Sequence, residues 1–250
     1  MTDSVLNVVL GLVASAISAG LGWLAQNLRR RRRLERTRRF FGLPEGTECL
    51  LVVPRKGGPG ASTAVARDDA YAMMELAALV RECGARAEIV AHDQVRQGLG
   101  GKAEFCLGGP TANNRTAAHL ASWLPGFSAA GADGDLTIGA GDKVYPLSYP
   151  VPDGAPAHVL LARVHAGSGD RPVFLISGQT ATSNHAAVRY LAAHHRTLAR
   201  KHGTDGTFAV VLRVVNPDAY GPDVVEQAAD VTAAATARPA PAAAEAAATA

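Results

Sequence analysis

At 250 residues, with 48% hydrophobic and 5% aromatic content, the chain can bury one sizeable core but not two comparable ones. Its apolar content is mostly Ala and Val with 26 Gly, which suits helices packed on a Val-rich sheet and argues against an all-β fold. The net charge of +3 comes from one run: eight Arg and one Glu lie within 29–39, and the rest of the chain carries −4, so no basic folded surface for a nucleic acid is expected.

Residues 4–28 carry no charged side chain, enough for a helix to cross a hydrocarbon core about 30 Å thick. Only Asp3 precedes this stretch as a charged group, and Arg29 to Arg33, Arg36, Arg38 and Arg39 follow it. That asymmetry is the reverse of a cleavable signal, and it predicts a single-pass plasma-membrane anchor at 1–28 with the rest of the chain cytoplasmic. Trp23 would lie at the interface, and the arginines would meet anionic lipid headgroups. Gly11, Ser15 and Ala19, with Ala14, Ser18 and Gly22, form two small-residue stripes that suit homo-oligomeric helix pairing.

After an Arg-rich juxtamembrane linker at 29–47, an α/β domain is expected over 48–230. Strands are read at 48–54 (ECLLVVP), 86–91, 102–107 (KAEFCL), 172–177 (PVFLIS) and 207–215. Helices are read at 63–83, 113–124 and about 182–202. Gly and Pro punctuate short alternating runs at 136–140, 143–149 and 158–165, which predicts an antiparallel β-hairpin insertion over 127–167. The Ala- and Pro-rich tail, 231–250, has no apolar stripe and reads as disordered. The whole is a Rossmann-like three-layer α/β/α fold with a mostly parallel sheet, so ligands are expected outside the carboxyl ends of the strands.

Three loops lie at such ends. Gly58, Gly60 and Thr63 partly imitate a dinucleotide fingerprint, but the third glycine is missing and no Gly-Lys-Ser/Thr follows. The loop 108–116 (GGPTANNRT) opens a helix with exposed N–H groups. Gly108 and Gly109 admit a ligand close to the backbone, Thr111, Asn113 and Asn114 offer polar groups, and Arg115 adds a charge. The loop 177–185 (SGQTATSNH) aligns with it without gaps and adds Gly178, Thr180 and Thr182. The two would embrace one nucleotide-like anion, although ordinary helix capping explains the same residue types.

The Gly-Gly-Pro, Asn and Thr pattern of 108–116 on this framework resembles uncharacterised bacterial single-pass membrane proteins with a cytosolic Rossmann-like sensory domain. The likeness covers about 48–215. It implies recognition of a nucleotide or similar phosphorylated signal and transfers no catalytic residue or cofactor.

Enzyme signatures are scarce. The eight His and three Cys form no zinc spacing, so no metal site is expected, and Cys49, Cys83 and Cys106 read as buried thiols. No nucleophile elbow is present. Asp68, Asp69 and Glu75 could supply an acid/base to a nucleotide- or sugar-processing hydrolase or transferase, although acids early in a helix commonly answer its dipole. Three functions stay open: a membrane-anchored sensor, such an enzyme, or a membrane-tethered interaction scaffold that uses Tyr145 and Tyr149 of the insertion.

Overall fold

The computed structural model describes residues 2–54, 64–96, 98–132, 135–167 and 169–238; of these, the side chains of 2–9, 11–14, 16, 131, 132 and 135 are not described. The Gly58, Gly60 and Thr63 loop and the tail from 239 lie outside the described residues.

The elements run α1 (Thr2–Phe41), β1 (Glu48–Val53), α2 (Arg67–Glu82), β2 (Arg86–Ala91), β3 (Ala103–Leu107), α3 (Asn114–Trp123), β4 (Phe127–Ala132), β5 (Asp135–Ala140), β6 (Lys143–Leu147), β7 (Ala157–Val164), β8 (Val173–Gly178), α4 (Ala181–His202), β9 (Phe208–Val214), α5 (Pro217–Tyr220), β10 (Val225–Asp230) and α6 (Thr232–Thr236). Seven strands make one sheet in the order β10-β9-β7-β8-β3-β1-β2, and β4-β5-β6 make a second, three-stranded one. Strands β2, β1, β3 and β8 are parallel, whereas β7 runs antiparallel to both β8 and β9, and β10 antiparallel to β9.

Two apolar layers flank the large sheet. On one face Leu51, Phe105, Phe174 and Val210 pack under α2, α4 and the end of α1. On the other, Val52, Cys106, Leu175 and Val211 pack under α3, the small sheet and α6. Alternate strand residues feed the two layers, so the central strands are buried on both faces and read as continuous apolar runs. The Phe105 and Phe174 rings stack across neighbouring β3 and β8 at 4.9 Å.

Several sequence expectations are corrected. The segment 158–165 is not part of the insertion: β7 is a central strand of the large sheet, and its flanking Pro and Gly hide that. The tail does not begin at 231, because Val231 and Ala235 are buried in the second layer and Thr232 Oγ1 accepts from Ala209 N at 3.0 Å. Nor is 29–47 a linker. Helix α1 is continuous from Thr2 to Phe41, about 60 Å at 1.5 Å per residue, and Phe40, Phe41 and Leu43 are fully buried.

The junction between α1 and the domain is built locally. Gly42 takes a left-handed φ of 63°, while Leu43 N donates to Arg38 O and Gly42 N to Arg39 O. This Schellman turn ends the helix and drives Leu43 into the core. Arg163, from β7, is wholly buried beneath it. Its guanidinium donates to the carbonyls of Phe40, Gly203, Thr204 and Gly206 and lies 4.4 Å above the Phe40 ring. Burial lowers its pKa to about 10. Arg38 Nε donates to Cys83 O at 2.7 Å and so closes the end of α2.

Among the described residues no helix is long and apolar enough to cross a membrane. Described side chains of the 4–28 stretch begin at Leu10, and Leu10, Ile17, Leu21, Trp23, Leu24 and Leu28 are all exposed, Trp23 at 68%.

Candidate functional site

The connections leaving β3 and β8 diverge. These strands are adjacent and parallel, yet α3 follows β3 onto one face and α4 follows β8 onto the other. Such a reversal opens a crevice at the carboxyl ends of the strands. Strand β1, parallel to β3, ends on the same side of the sheet, and residues 55–63 lie outside the described residues.

Gly109 and Gly178 meet in this crevice: a Cβ added to Gly109 would lie 3.6 Å from Ser177 Oγ and 3.7 Å from Gly178 O. Together with Thr111, Gln179, Leu136 and Thr137 they line a cavity of about 40 Å³. That holds a water but no nucleotide base. The small sheet roofs it. Gln179 fixes the roof, because its Nε2 donates to Leu136 O and Tyr145 O while its Oε1 accepts from His158 N.

The other expected ligand groups are already engaged. Asn113 is fully buried as the cap of α3: Oδ1 accepts from Arg115 N and Thr116 N, and Nδ2 donates to Leu107 O. Thr180 caps α4 in a reciprocal box with Ser183. Thr182 Oγ1 donates to Asp68 Oδ2 at 2.5 Å. Gly108 serves packing, since its φ of 95° brings it against Pro54 and a Cβ would meet Pro54 Cβ at 2.9 Å. Asn114 is exposed, and its backbone N–H points at His92 Nδ1 at 3.3 Å.

Arg115 does not extend into the crevice as a free positive charge. Its Nη2 donates to Glu104 Oε1 at 2.6 Å and its Nε to Oε2 at 3.0 Å, while His119 Nε2 lies 3.1 Å from Oε2. Glu104 is 1% exposed. Burial alone would raise its pKa, but the hydrogen bonds from His119 and Arg115 outweigh this and hold the carboxyl below the ordinary range. The ligand atoms of Glu104, Cys106 and His119 lie within 4.8 Å of one another. A cation entering there would have to displace the guanidinium, and burial pushes the Cys106 thiol well up, away from the thiolate that binds metal. The cluster therefore works as a buried ion pair.

Comparison with protein-family models, with curated proteins and with solved structures finds no match. The chemistry must therefore be read from the side chains themselves.

Along α2 and α4 runs a polar seam. Asp68 accepts from Thr182, Asp69 Oδ1 accepts from Asn184 Nδ2 at 2.9 Å, and Glu75 Oε1 lies 3.1 Å from His185 Nε2. Asn184 Oδ1 also accepts from Gly178 N at 2.8 Å, which links the seam to the crevice. Asp69 is 6% exposed, and Asn184 is its one side-chain donor among the described residues. Burial pushes its carboxyl up, and the charge of Asp68 adds to the shift against the Asn184 hydrogen bond.

Of the residues expected from sequence, Gly109, Thr111 and Gly178 come together at the crevice, while Asp68, Asp69 and Glu75 lie in the α2/α4 seam; Gln179, Asn184 and the Glu104 cluster were missed. For that cluster a signal existed: a lone charge inside an apolar strand, followed by Arg and His four residues apart on one helix face. For Gln179 none did.

Proposed function

We propose that the chain is a membrane-anchored ligand-binding protein whose α/β domain recognises a nucleotide or other phosphorylated small molecule at the β3/β8 crevice. The uncharged 4–28 stretch inserts in the plasma membrane, its Arg-flanked end stays cytoplasmic, and its small-residue stripes pair copies. The observation that carries the ligand reading is the reversal of connections after β3 and β8, where Gly109 lies beside Gly178 and Asn184 joins Gly178 N to the buried Asp69 carboxyl. The cavity is too small for a base, so the ligand lies across the outer rim, with phosphate toward the glycines and a sugar hydroxyl donating to Asp69. A thermal-shift screen of full-length protein in detergent tests this. A ligand at about a hundredfold its Kd adds ~2.7 kcal/mol, or about 5–10 °C for a domain of this size. Silence across nucleotides and sugar phosphates contradicts the reading.

One observation favours a second reading, hydrolysis or group transfer. Asp69 is a buried carboxyl with raised pKa at the strand ends, the setting of a general acid or base. Turnover of the same ligands, abolished by Asp69→Asn, would select it.

A further inference from the structure

Where α1 leaves the domain it crosses α4, with Thr37 Oγ1 3.3 Å from His195 Nε2. A wedge-shaped cavity opens on each side of the crossing. The larger, about 600 Å³, is lined by Arg33, Arg36 and Thr37 of α1 and by Arg196 and Arg200 of α4, with Thr204 at its end. No carboxylate lines it. The smaller, about 380 Å³, shares Arg33 and Arg196 and includes Glu82.

These arginines differ from their neighbours. Arg38 pairs with Glu35 and Glu45, Arg39 with Asp205, and Lys201 with Asp230. Among the described residues, Arg33, Arg36, Arg196 and Arg200 have no acidic partner within salt-bridge distance, and residues 193–204 contain no Asp or Glu. Four like charges around one cavity repel one another, so the arrangement favours an anion between them.

Depth identifies which anion. Arg33 and Arg36 lie five and eight residues past Leu28, the last residue of the uncharged stretch. At 1.5 Å per residue that is about 8–12 Å beyond the apolar edge, spanning the headgroup layer, about 5–8 Å thick on each side, and its aqueous boundary. Because α1 is one continuous helix into the core, the wedge is held at that level by the fold.

We infer that the α1/α4 wedge is a docking site for the phosphate of an anionic phospholipid, with Arg196 and Arg200 of α4 completing a site begun by Arg33 and Arg36. It rests on the anchor reading above, and it fixes the orientation of the domain: the second half of α4 faces the bilayer. The guanidinium groups supply paired donors to phosphate oxygens, and Phe40 and Ala199 offer an apolar floor.

The test uses full-length protein in nanodiscs of phosphatidylcholine, alone or with roughly a third phosphatidylglycerol. The native cysteines are all buried, so Ala192→Cys on exposed α4 takes a nitroxide, and a nickel-chelating lipid reports its distance from the headgroups. Relaxation at this site should be about twofold or more stronger with phosphatidylglycerol, and weaken at high salt as exposed charges are screened. Arg196→Gln with Arg200→Gln should abolish the difference, whereas Arg213→Gln on β9 should preserve it. Equal relaxation in the two disc types, or no effect of the α4 pair, overturns the inference. So does a response to inorganic phosphate alone in phosphatidylcholine discs, which would mean a soluble ligand. Failure of the anchor reading looks different: the protein then does not co-elute with discs of either composition.

Discussion

Replacing Glu104 with Gln separates the structural account of Arg115 from a ligand-binding one. Glu104 is 1% exposed and accepts two hydrogen bonds from Arg115 and one contact from His119. Glutamine keeps the shape but removes the negative charge that faces the Arg115 guanidinium, itself 16% exposed. Breaking a buried pair from one side costs about 3–5 kcal/mol, which lowers Tm by about 6–20 °C in a domain of this size. Removing both charges in Glu104→Gln/Arg115→Met should recover much of the loss, because no uncompensated charge then stays buried. The sign with pH follows from the lowered carboxyl pKa. The ionised form is the one the fold favours, so its contribution is present above the unfolded value near 4.5 and is lost as pH falls through the lower folded value. Urea unfolding of the single and double variants between neutral and acid pH measures both effects. A loss under about 1 kcal/mol for the single variant refutes the reasoning, as does a double variant no better than the single one. An Arg115→Met protein that keeps its stability but loses ligand would restore Arg115 to the binding site.

Asp69→Asn should leave the fold intact, since Oδ1 still accepts from Asn184, and should raise stability at neutral pH. The folded pKa of Asp69 lies above its unfolded 3.8, so its ionised form costs stability above that folded value, and the gain of the variant shrinks as pH falls through it; a destabilised variant at neutral pH contradicts the burial argument. Gln179→Ala removes three hydrogen bonds that hold the small sheet; amide exchange over 136–147 should quicken about tenfold to a hundredfold or more, and unchanged exchange would show the roof is held otherwise. Ending the chain after Asp230 removes buried Val231 and Ala235 and should cost about 2–4 kcal/mol in urea unfolding; an unaffected midpoint would return 231–237 to a dispensable tail.

The strands legible in sequence were those buried on both faces. ECLLVV of β1, AEFCL of β3, VFLISG of β8 and FAVVLRV of β9 are continuous apolar runs because the sheet is covered on each side. The edge strand β10, VEQAAD, escaped notice: it pairs on one side only and its polar residues face water. The same physics hid α6, whose five residues bury Ala235 without a repeating stripe. Phe40 and Phe41 were obscured by the arginines before them, since a basic run reads as membrane topology whatever its last turn packs against. In the crevice, Gly109, Thr111 and Gly178 do come together, whereas Asn113 and Thr180 serve as caps. Capping and anion binding call for the same residue types at the same place, so sequence alone could not divide them. The wedge arginines of α4 were unreadable for another reason: Arg196 and Arg200 look like ordinary cations near a helix end, and only the crossing with α1 groups them with Arg33 and Arg36.

The most direct test of the account is where the whole chain partitions in the cell. Membranes from cells making the full-length protein are washed with alkaline carbonate, and inside-out vesicles are then treated with protease. Retention in the washed pellet, with the domain digested only in the inside-out vesicles, is the predicted result. Release into the wash, or a domain digested from the outside of intact cells, would contradict it.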